Sequence, residues 1–196
     1  MHPVYKLCKT EQSASRQRQL ELGLLQAMQE RRFEDISVSD LCGQMDIPRK
    51  SFYRYFSGKD GALHALIDHT LMEYESFTRH YIESNTRTLQ GDLEQFFLFW
   101  MHQRQLLDAL GKNALSGVLV LRAIEYSVND SVFPARFLSG ETRTAQEHVV
   151  GFAVCGLLTM TLKWHQNGYR ENVHDLAQVA CRLLTQPLFP SADNLL

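Results

Sequence analysis

Apolar residues recur with helical spacing along almost the whole chain. In the first such stretch Leu20, Leu24 and Met28 stand four residues apart, which places them on one face of a helix. Similar stripes follow as far as residue 185, while runs of β-branched residues are few and no stretch alternates as a strand does. The spacing therefore predicts an all-α protein.

Caps and breakers divide this pattern into separate helices. Ser37 with Asp40 three residues later is close to a capping box, so a short helix is predicted to begin there. Pro48 ends that helix and is tolerated at the start of the next one. The predicted helices cover approximately residues 13–33, 38–45, 48–57, 59–82, 89–110, 113–128, 142–166 and 173–185, with an irregular segment at 129–140.

Residues 49–59, RKSFYRYFSGK, carry four basic side chains and no acidic one. Phe52 and Phe56 are spaced to anchor a short helix, which leaves basic and hydroxyl groups on its other face. Guanidinium, ammonium and hydroxyl groups together suit phosphates and base edges. Two short helices joined by a tight turn, the second of them basic, are typical of a helix-turn-helix that enters the DNA major groove. On charge alone, a solvated positive helix face explains the stretch equally well.

Composition limits the class of protein. The chain has 20 Lys and Arg against 22 Asp and Glu, so its net charge does not argue for a polyanionic partner. Residues 1–60, however, hold ten basic and eight acidic side chains, whereas the remainder holds ten and fourteen. The four cysteines are far apart and no secretory signal is seen, which favours a reducing cytoplasm. The apolar stretch at 149–162 is too short to span a bilayer, so a soluble protein is predicted.

The segment FEDISVSDLCGQMDIPRKSFYRYFSGKDGAL resembles the DNA-binding part of the TetR family of transcriptional regulators, of the TetR/AcrR type. The resemblance covers about residues 16–67. It rests on the aromatic and basic run at 52–56, followed by Lys59, Asp60 and Leu63. Met45 and Asp46 depart from the pattern, since the family often has a small residue and Gly there, and Cys42 stands where Ala is usual.

The resemblance implies a three-helix helix-turn-helix domain followed by a larger C-terminal helical bundle. On this basis residues 1–12 form a flexible arm, 13–60 the DNA-binding domain, and 61–196 the domain for ligand binding and dimerisation. The implied partners are a double-stranded DNA operator, a second copy of the chain, and possible small-molecule effectors of unknown identity.

The matching positions also imply roles for individual residues. Phosphate contacts are expected from Ser37, Ser39, Tyr55 and Lys59. Base contacts are expected from Arg49, Lys50, Ser51 and Arg54, and Tyr53 could serve in either role. A bidentate contact to guanine contributes roughly 1–3 kcal/mol of discrimination, whereas phosphate contacts fix register and make affinity depend on salt.

The C-terminal part offers weaker signals. An aromatic patch and four more distant or polar positions are candidates for an effector cavity, or else ordinary bundle core: Phe96, Phe99, Trp100, His102, Gln103, Tyr126 and His148. The helix at 142–166 is apolar on nearly every side, so it lies at the centre of one bundle or packs on a second copy. The residues predicted for a dimer contact are Val150, Val154, Leu158, Leu162, Leu176 and Leu183.

Taken together, the sequence predicts a cytoplasmic DNA-binding regulator that acts as a repressor and is released from its operator by a ligand. An activator or a partner-controlled regulator of the same fold is one alternative, and a helical-bundle enzyme or lipid carrier is another. No catalytic fingerprint is present, so no catalytic residue and no cofactor are predicted. His64 with Asp68, and His69 with Glu73, share helix faces but have no third ligand, so no metal site is predicted.

Overall fold

The structure is a computed structural model that describes residues 5, 6, 8, 10–84, 88–129 and 142–186. In these residues it is helical throughout, apart from turns, one 3-10 turn at Phe33–Asp35 and an isolated antiparallel bridge between Tyr5 and Phe56. The helices are α1 Glu11–Glu30, α2 Val38–Gln44, α3 Arg49–Tyr53, α4 Lys59–Ser84, α5 Leu89–His102, α6 Arg104–Lys112, α7 Ser116–Asn129, α8 Arg143–Gln166 and α9 Val173–Thr185. The predicted all-α class is confirmed.

Side-chain caps start most of these helices. Ser37 accepts a hydrogen bond from the backbone of Asp40, whose carboxylate in turn accepts one from the Ser37 N–H, so the predicted capping box is confirmed. Thr10 caps α1 by accepting from the N–H of Ser13. The helix therefore begins at Glu11, ahead of the predicted start.

The single helix predicted for residues 89–110 is divided into α5 and α6. The break lies at Gln103, whose N–H bonds back to the carbonyls of Phe99 and Trp100. The two apolar stripes belong to different parts of the molecule, because α5 packs on α9 and α8 while α6 packs on α1 and α7. The irregular segment predicted after residue 129 lies outside the described residues.

The chain divides into two compact units. The first contains Met1–Glu73 and Arg104–Asp130, and its described core is formed by large side chains of α1 to α4, α6 and the residues between them, among them Leu20, Leu24, Met28, Ile36, Leu41, Phe52, Phe56, Leu63, Leu66, Leu107 and Leu110. Phe52 and Phe56 are buried with ring centroids 5.1 Å apart. Their predicted role as anchors is confirmed.

The second unit contains Tyr74–Gln103 and Ser131–Leu196. Its core is formed by Leu93, Phe97, Leu157, Trp164, Ala177 and Ala180, where α5, α8 and α9 meet. The indole N–H of Trp164 donates to the carbonyl of Glu171 at 2.8 Å, so this buried polar group is satisfied. The predicted functional boundary at residue 60 concerns DNA and ligand binding, and it stays a prediction.

Among the helices of the described residues, α8 has the length and the apolar composition to cross a membrane. A buried helix of a soluble protein has the same properties. In α8 the side chains of Val150, Leu157 and Trp164 are buried within the protein, and 33% of its most apolar stretch is buried.

Three helix ends share one turn geometry. After α2, α6 and α8 the residues Asp46, Ala114 and Gly168 have φ values of 51°, 56° and 72°. In each case the N–H groups of this residue and the next bond back to the last turn of the helix, which is a Schellman motif. Glycine is favoured at this position because a Cβ strains the left-handed backbone. Two of the three turns therefore carry a side chain that the geometry disfavours.

We expect Ala114→Gly to stabilise the protein by about 1 kcal/mol, because it relieves the left-handed strain. Asp46→Gly should stabilise it less, since Asp tolerates this conformation better than Ala does. Urea unfolding monitored by circular dichroism measures both. Gly168→Ala is the matched control and should destabilise by about the same amount. A loss of stability in Ala114→Gly would contradict the strain argument.

Candidate nucleic-acid interface

Helix α3 is shorter than predicted and stands on two aromatic anchors. It covers Arg49–Tyr53 rather than residues 48–57, because the chain turns after Tyr53 and Phe56 forms the bridge with Tyr5. Pro48 precedes the helix as its N-cap residue. The buried side chains of Phe52 and Phe56 hold α3 against the rest of the first unit.

The outer surface of α3 is basic. Arg49, Lys50 and Arg54 are exposed, and Tyr53 is 49% exposed. The guanidinium of Arg49 lies 6.0 Å from the ring centroid of Tyr53, within the range of a cation–π contact. Ser51 is half-buried. The structure thus brings together, on a single short helix, most of the residues expected to contact bases.

Arg54 is oriented by its neighbour Tyr55. Its guanidinium lies 5.0 Å from the Tyr55 ring centroid and donates to the Tyr55 hydroxyl at 3.0 Å. Tyr55 itself is only 4% exposed, and the Ser13 hydroxyl lies 3.5 Å from its oxygen. Most of Tyr55 is therefore core, and its hydroxyl is the atom on which the predicted phosphate contact depends.

The two serines of α2 differ in their local contacts. Ser39 is exposed on the first turn. Ser37 is also exposed, but its hydroxyl accepts from the N–H of Asp40 and donates to the Asp40 carboxylate at 2.7 Å. The side-chain and backbone hydrogen bonds from Ser37 lower the pKa of the Asp40 carboxyl. Ser37 thus has a capping role in addition to any contact with phosphate.

Lys59 has a role that differs from the expected phosphate contact. Its ammonium donates to the carbonyls of Phe33, Glu34 and Ile36 at 2.6, 2.8 and 3.0 Å. An ammonium has three donors, so all of them are engaged in closing the 3-10 turn ahead of α2. These bonds hold the turn before α2, and the phosphate contact expected of Lys59 stays a prediction.

Two departures from the family pattern have local explanations. Asp46 occupies the glycine position of the turn between α2 and α3, with its side chain exposed. Met45 fits because α1 has Gly23 opposite it: a Cβ on Gly23 would overlap the sulfur of Met45. Gly23 in α1, which has no side chain, leaves the space that the larger Met45 needs.

The segment before α1 contributes contacts that the sequence pattern did not indicate. The N–H of Lys6 donates to the carbonyl of Tyr55 at 2.9 Å, and the Tyr5 hydroxyl donates to Asp68 at 2.6 Å. The Asp68 carboxylate also accepts two hydrogen bonds from Arg122. The described residues of the predicted flexible arm are thus docked on the first unit.

Three of the four side chains in the two histidine and carboxylate pairs on α4 have partners elsewhere in the first unit. Asp68 is bound by Arg122, whereas His69 contacts Glu21 at 2.9 Å. Glu73 accepts from Arg18 at 2.6 Å. In the part of the chain that the structure describes, no three His, Cys, Asp or Glu side chains are grouped so that they could hold a metal ion.

The candidates for an effector cavity are not brought together as one polar site. Phe96, Phe99 and Trp100 form a packed aromatic cluster, with Phe99 and Trp100 centroids 5.5 Å apart and Phe96 and Trp100 centroids 6.3 Å apart. His102 is exposed and contacts the Leu98 carbonyl, and His148 is exposed as well. Gln103 is half-buried at the end of α5, and Tyr126 belongs to the first unit.

The predicted dimer residues differ in their exposure, and their role in a dimer stays a prediction. Val150, Val154 and Leu158 are 3%, 7% and 1% exposed in the single chain, so they face its interior. Leu162 and Leu176 are half-buried. The exposed apolar side chains of α8 and α9 are instead Val149 at 45%, Phe152 at 68%, Val179 at 39% and Leu183 at 38%.

The architecture, an N-terminal helix-turn-helix followed by a helical bundle, is TetR-like, as the resemblance implies. Among solved structures the chain is similar to that of the fatty acid degradation regulator FadR from Bacillus halodurans. The TM-score is 0.56 at 13% identity, over 93% of this chain and 98% of that chain. No family model matches the sequence, and no curated protein is similar to it. At this identity the likeness shows the fold alone.

We expect Lys59→Met to lower the free energy of unfolding by about 2 kcal/mol, because the apolar stem is retained while three carbonyls lose a charged donor. Lys112→Met is the matched control, since the ammonium of Lys112 donates to one carbonyl, that of Gln29. It should destabilise by less than about 1 kcal/mol. Urea unfolding compares the two variants, and equal losses would argue against a special role for Lys59.

Proposed function

We propose that this protein is a sequence-specific DNA-binding transcriptional regulator. The observation that carries the proposal is a short helix anchored by buried Phe52 and Phe56 that presents Arg49, Lys50, Tyr53 and Arg54 outward. A capped α2 and a tight turn precede it, as in a helix-turn-helix. The fold likeness to a protein described as a fatty acid degradation regulator supports the same reading.

In the proposed interface, α3 enters the major groove. Arg49 and Lys50 lie at its exposed start and read base edges, together with Ser51 and Arg54. Tyr53 packs beside Arg49 and limits the orientations of its guanidinium. Ser39 and the hydroxyl of Tyr55 contact phosphates, which fix the register of the helix on the duplex. Lys59 acts indirectly, by holding the turn before α2.

We propose further that the protein binds a palindromic operator as a homodimer. Two reading helices must then lie about 34–36 Å apart to enter successive major grooves. The exposed apolar residues of α8 and α9 support this. They are Val149, Phe152, Val179 and Leu183, and in the single chain they leave apolar helix surface in contact with water. We assign the contact to these four residues in place of the buried ones.

We infer repression that a small-molecule effector relieves in the cytoplasm. An effector acts only by binding one conformer more tightly than the other. The aromatic cluster in the second unit offers an apolar environment, and the buried indole N–H of Trp100 has no hydrogen-bond partner among the described residues. A ligand with an acceptor oxygen would satisfy it. This observation favours an effector over control by a protein partner, and no feature of the described residues favours an enzyme.

We expect Arg49→Ala to reduce specific binding about tenfold or more and to relax the preference at one base position of each half-site. Selection of bound duplexes from a randomised pool identifies the operator, and fluorescence anisotropy at several salt concentrations then measures affinity. Arg143→Ala is the charge-matched control, because this exposed arginine lies on α8 in the second unit. Selection of no sequence by the wild-type protein would contradict the proposed function.

We expect Phe152→Glu to convert the dimer to a monomer, since a carboxylate would replace a large apolar side chain in the contact. Sedimentation velocity measures the change. Leu121→Glu is the matched control: Leu121 is 66% exposed and Phe152 is 68% exposed, but Leu121 lies on α7 in the first unit. A Phe152→Glu protein that stays dimeric would show that the contact lies elsewhere.

A further inference from the structure

A partly buried ion pair connects α4 and α7 inside the first unit. The Nε of Arg122 donates to Oδ1 of Asp68 at 2.8 Å, and its Nη2 donates to Oδ2. The side chain of Asp68 is 6% exposed and that of Arg122 is 26% exposed. Such a two-pronged contact holds a carboxylate and a guanidinium in one relative orientation. Glu125, one turn along α7, also accepts from Arg122 at 3.0 Å.

Tyr5 adds a third hydrogen bond to this pair. Its hydroxyl donates to Oδ2 of Asp68 at 2.6 Å, and its ring packs edge-on against His69 with centroids 6.1 Å apart. Burial, and then the hydrogen bond to Asp68, raise the pKa of Tyr5 above its usual range. A raised pKa favours the protonated phenol, which is the form that donates to Asp68.

The backbone of the same segment is attached to the end of the basic helix. Tyr5 forms an antiparallel bridge with Phe56, and the N–H of Lys6 donates to the carbonyl of Tyr55 at 2.9 Å. Tyr55 and Phe56 directly follow Arg54, which is the first residue after α3. Cys8, further along the segment, donates to the side chain of Gln17 on α1 at 2.8 Å. One short stretch of chain thus contacts α1, α4 and the end of α3.

We propose that Tyr5 and Lys6 form a strap through which the Asp68–Arg122 ion pair positions α3, with Tyr5 as the positioning residue. Helix α3 has five residues, too few to hold its own orientation. A change in the contact between α4 and α7 moves the Asp68 carboxylate, and the strap transmits that movement to Tyr55 and Phe56. Arg122, on α7, then influences a helix that it does not touch.

Two variants test the strap without DNA. Tyr5→Phe removes the hydroxyl and keeps the ring, and Arg122→Lys keeps the charge but loses the two-pronged contact. Hydrogen exchange of peptides covering residues 49–56 should become about threefold to tenfold faster in either variant. Peptides from α9 should be unchanged. Tyr169→Phe is the matched control, because its hydroxyl contacts His165 in the second unit, and it should leave residues 49–56 unaffected.

A double-mutant cycle tests the route of the coupling. Each single variant should weaken binding to the selected operator about threefold to tenfold at an unchanged salt slope, since no phosphate contact is lost. The Tyr5→Phe, Arg122→Lys double variant should bind no more weakly than the weaker single variant. Independent effects that multiply would overturn the strap, as would unchanged exchange of residues 49–56.

The operator experiment rests on the proposed function, whereas the exchange experiment does not. If the wild-type protein selects no duplex, the proposed function fails, and the exchange of residues 49–56 still decides whether the strap positions α3. If the protein binds its operator but Tyr5→Phe leaves both affinity and exchange unchanged, the strap fails and the proposed function stands.

Discussion

The burial of two phenylalanines is the interaction on which the candidate interface depends. A helix of five residues forms too few hydrogen bonds to persist alone in water. Phe52 and Phe56 are almost completely removed from solvent, and complete burial of a phenylalanine contributes about 1.5–3 kcal/mol. Because both rings point inward, the basic side chains between and around them face outward. The same packing that forms the helix therefore forms the positive surface.

Polar groups around this helix mainly hold the scaffold. Lys59 closes a turn through three carbonyls, and Ser37 caps α2 through Asp40. Only a few of the charged or hydroxyl side chains near the turn are left for a partner, chiefly Arg49 and Lys50. In a small domain this use of polar side chains favours stability, because unsatisfied carbonyls would destabilise the fold by more than a surface cation contributes.

Periodicity predicted the helices because the spacing of buried residues is a local property. It located α2, α8 and α9 to within a residue or two, and it identified Phe52 and Phe56 as anchors. It could not predict that Lys59 bonds to carbonyls 23 to 26 residues away, or that Tyr5 reaches Asp68 across 63 residues. Such contacts leave no repeating signal in the chain. A basic residue beside a reading helix has the same appearance in the sequence whether it faces DNA or the protein.

Helix α8 illustrates a second limit, because it is apolar on nearly all sides. The pattern predicted that the helix is covered all round, but it could not tell which face its own chain covers. In the structure Val150, Val154 and Leu158 face inward, while Val149 and Phe152 face outward. The helix packs on α5 and α9 through Leu157 and Trp164, and this packing is a property of the whole unit.

The partly buried Asp68–Arg122 pair affects the geometry of the first unit more than its stability. Apolar side chains of similar volume would stabilise the unit about as well, since desolvation offsets most of the attraction between the charges. A two-pronged contact, unlike an apolar one, has a single good orientation. With the Tyr5 phenol 2.6 Å from the same carboxylate, that orientation extends along the strap to the residues that end α3. An apolar replacement of the pair would keep the fold but would no longer set the direction in which the basic helix points.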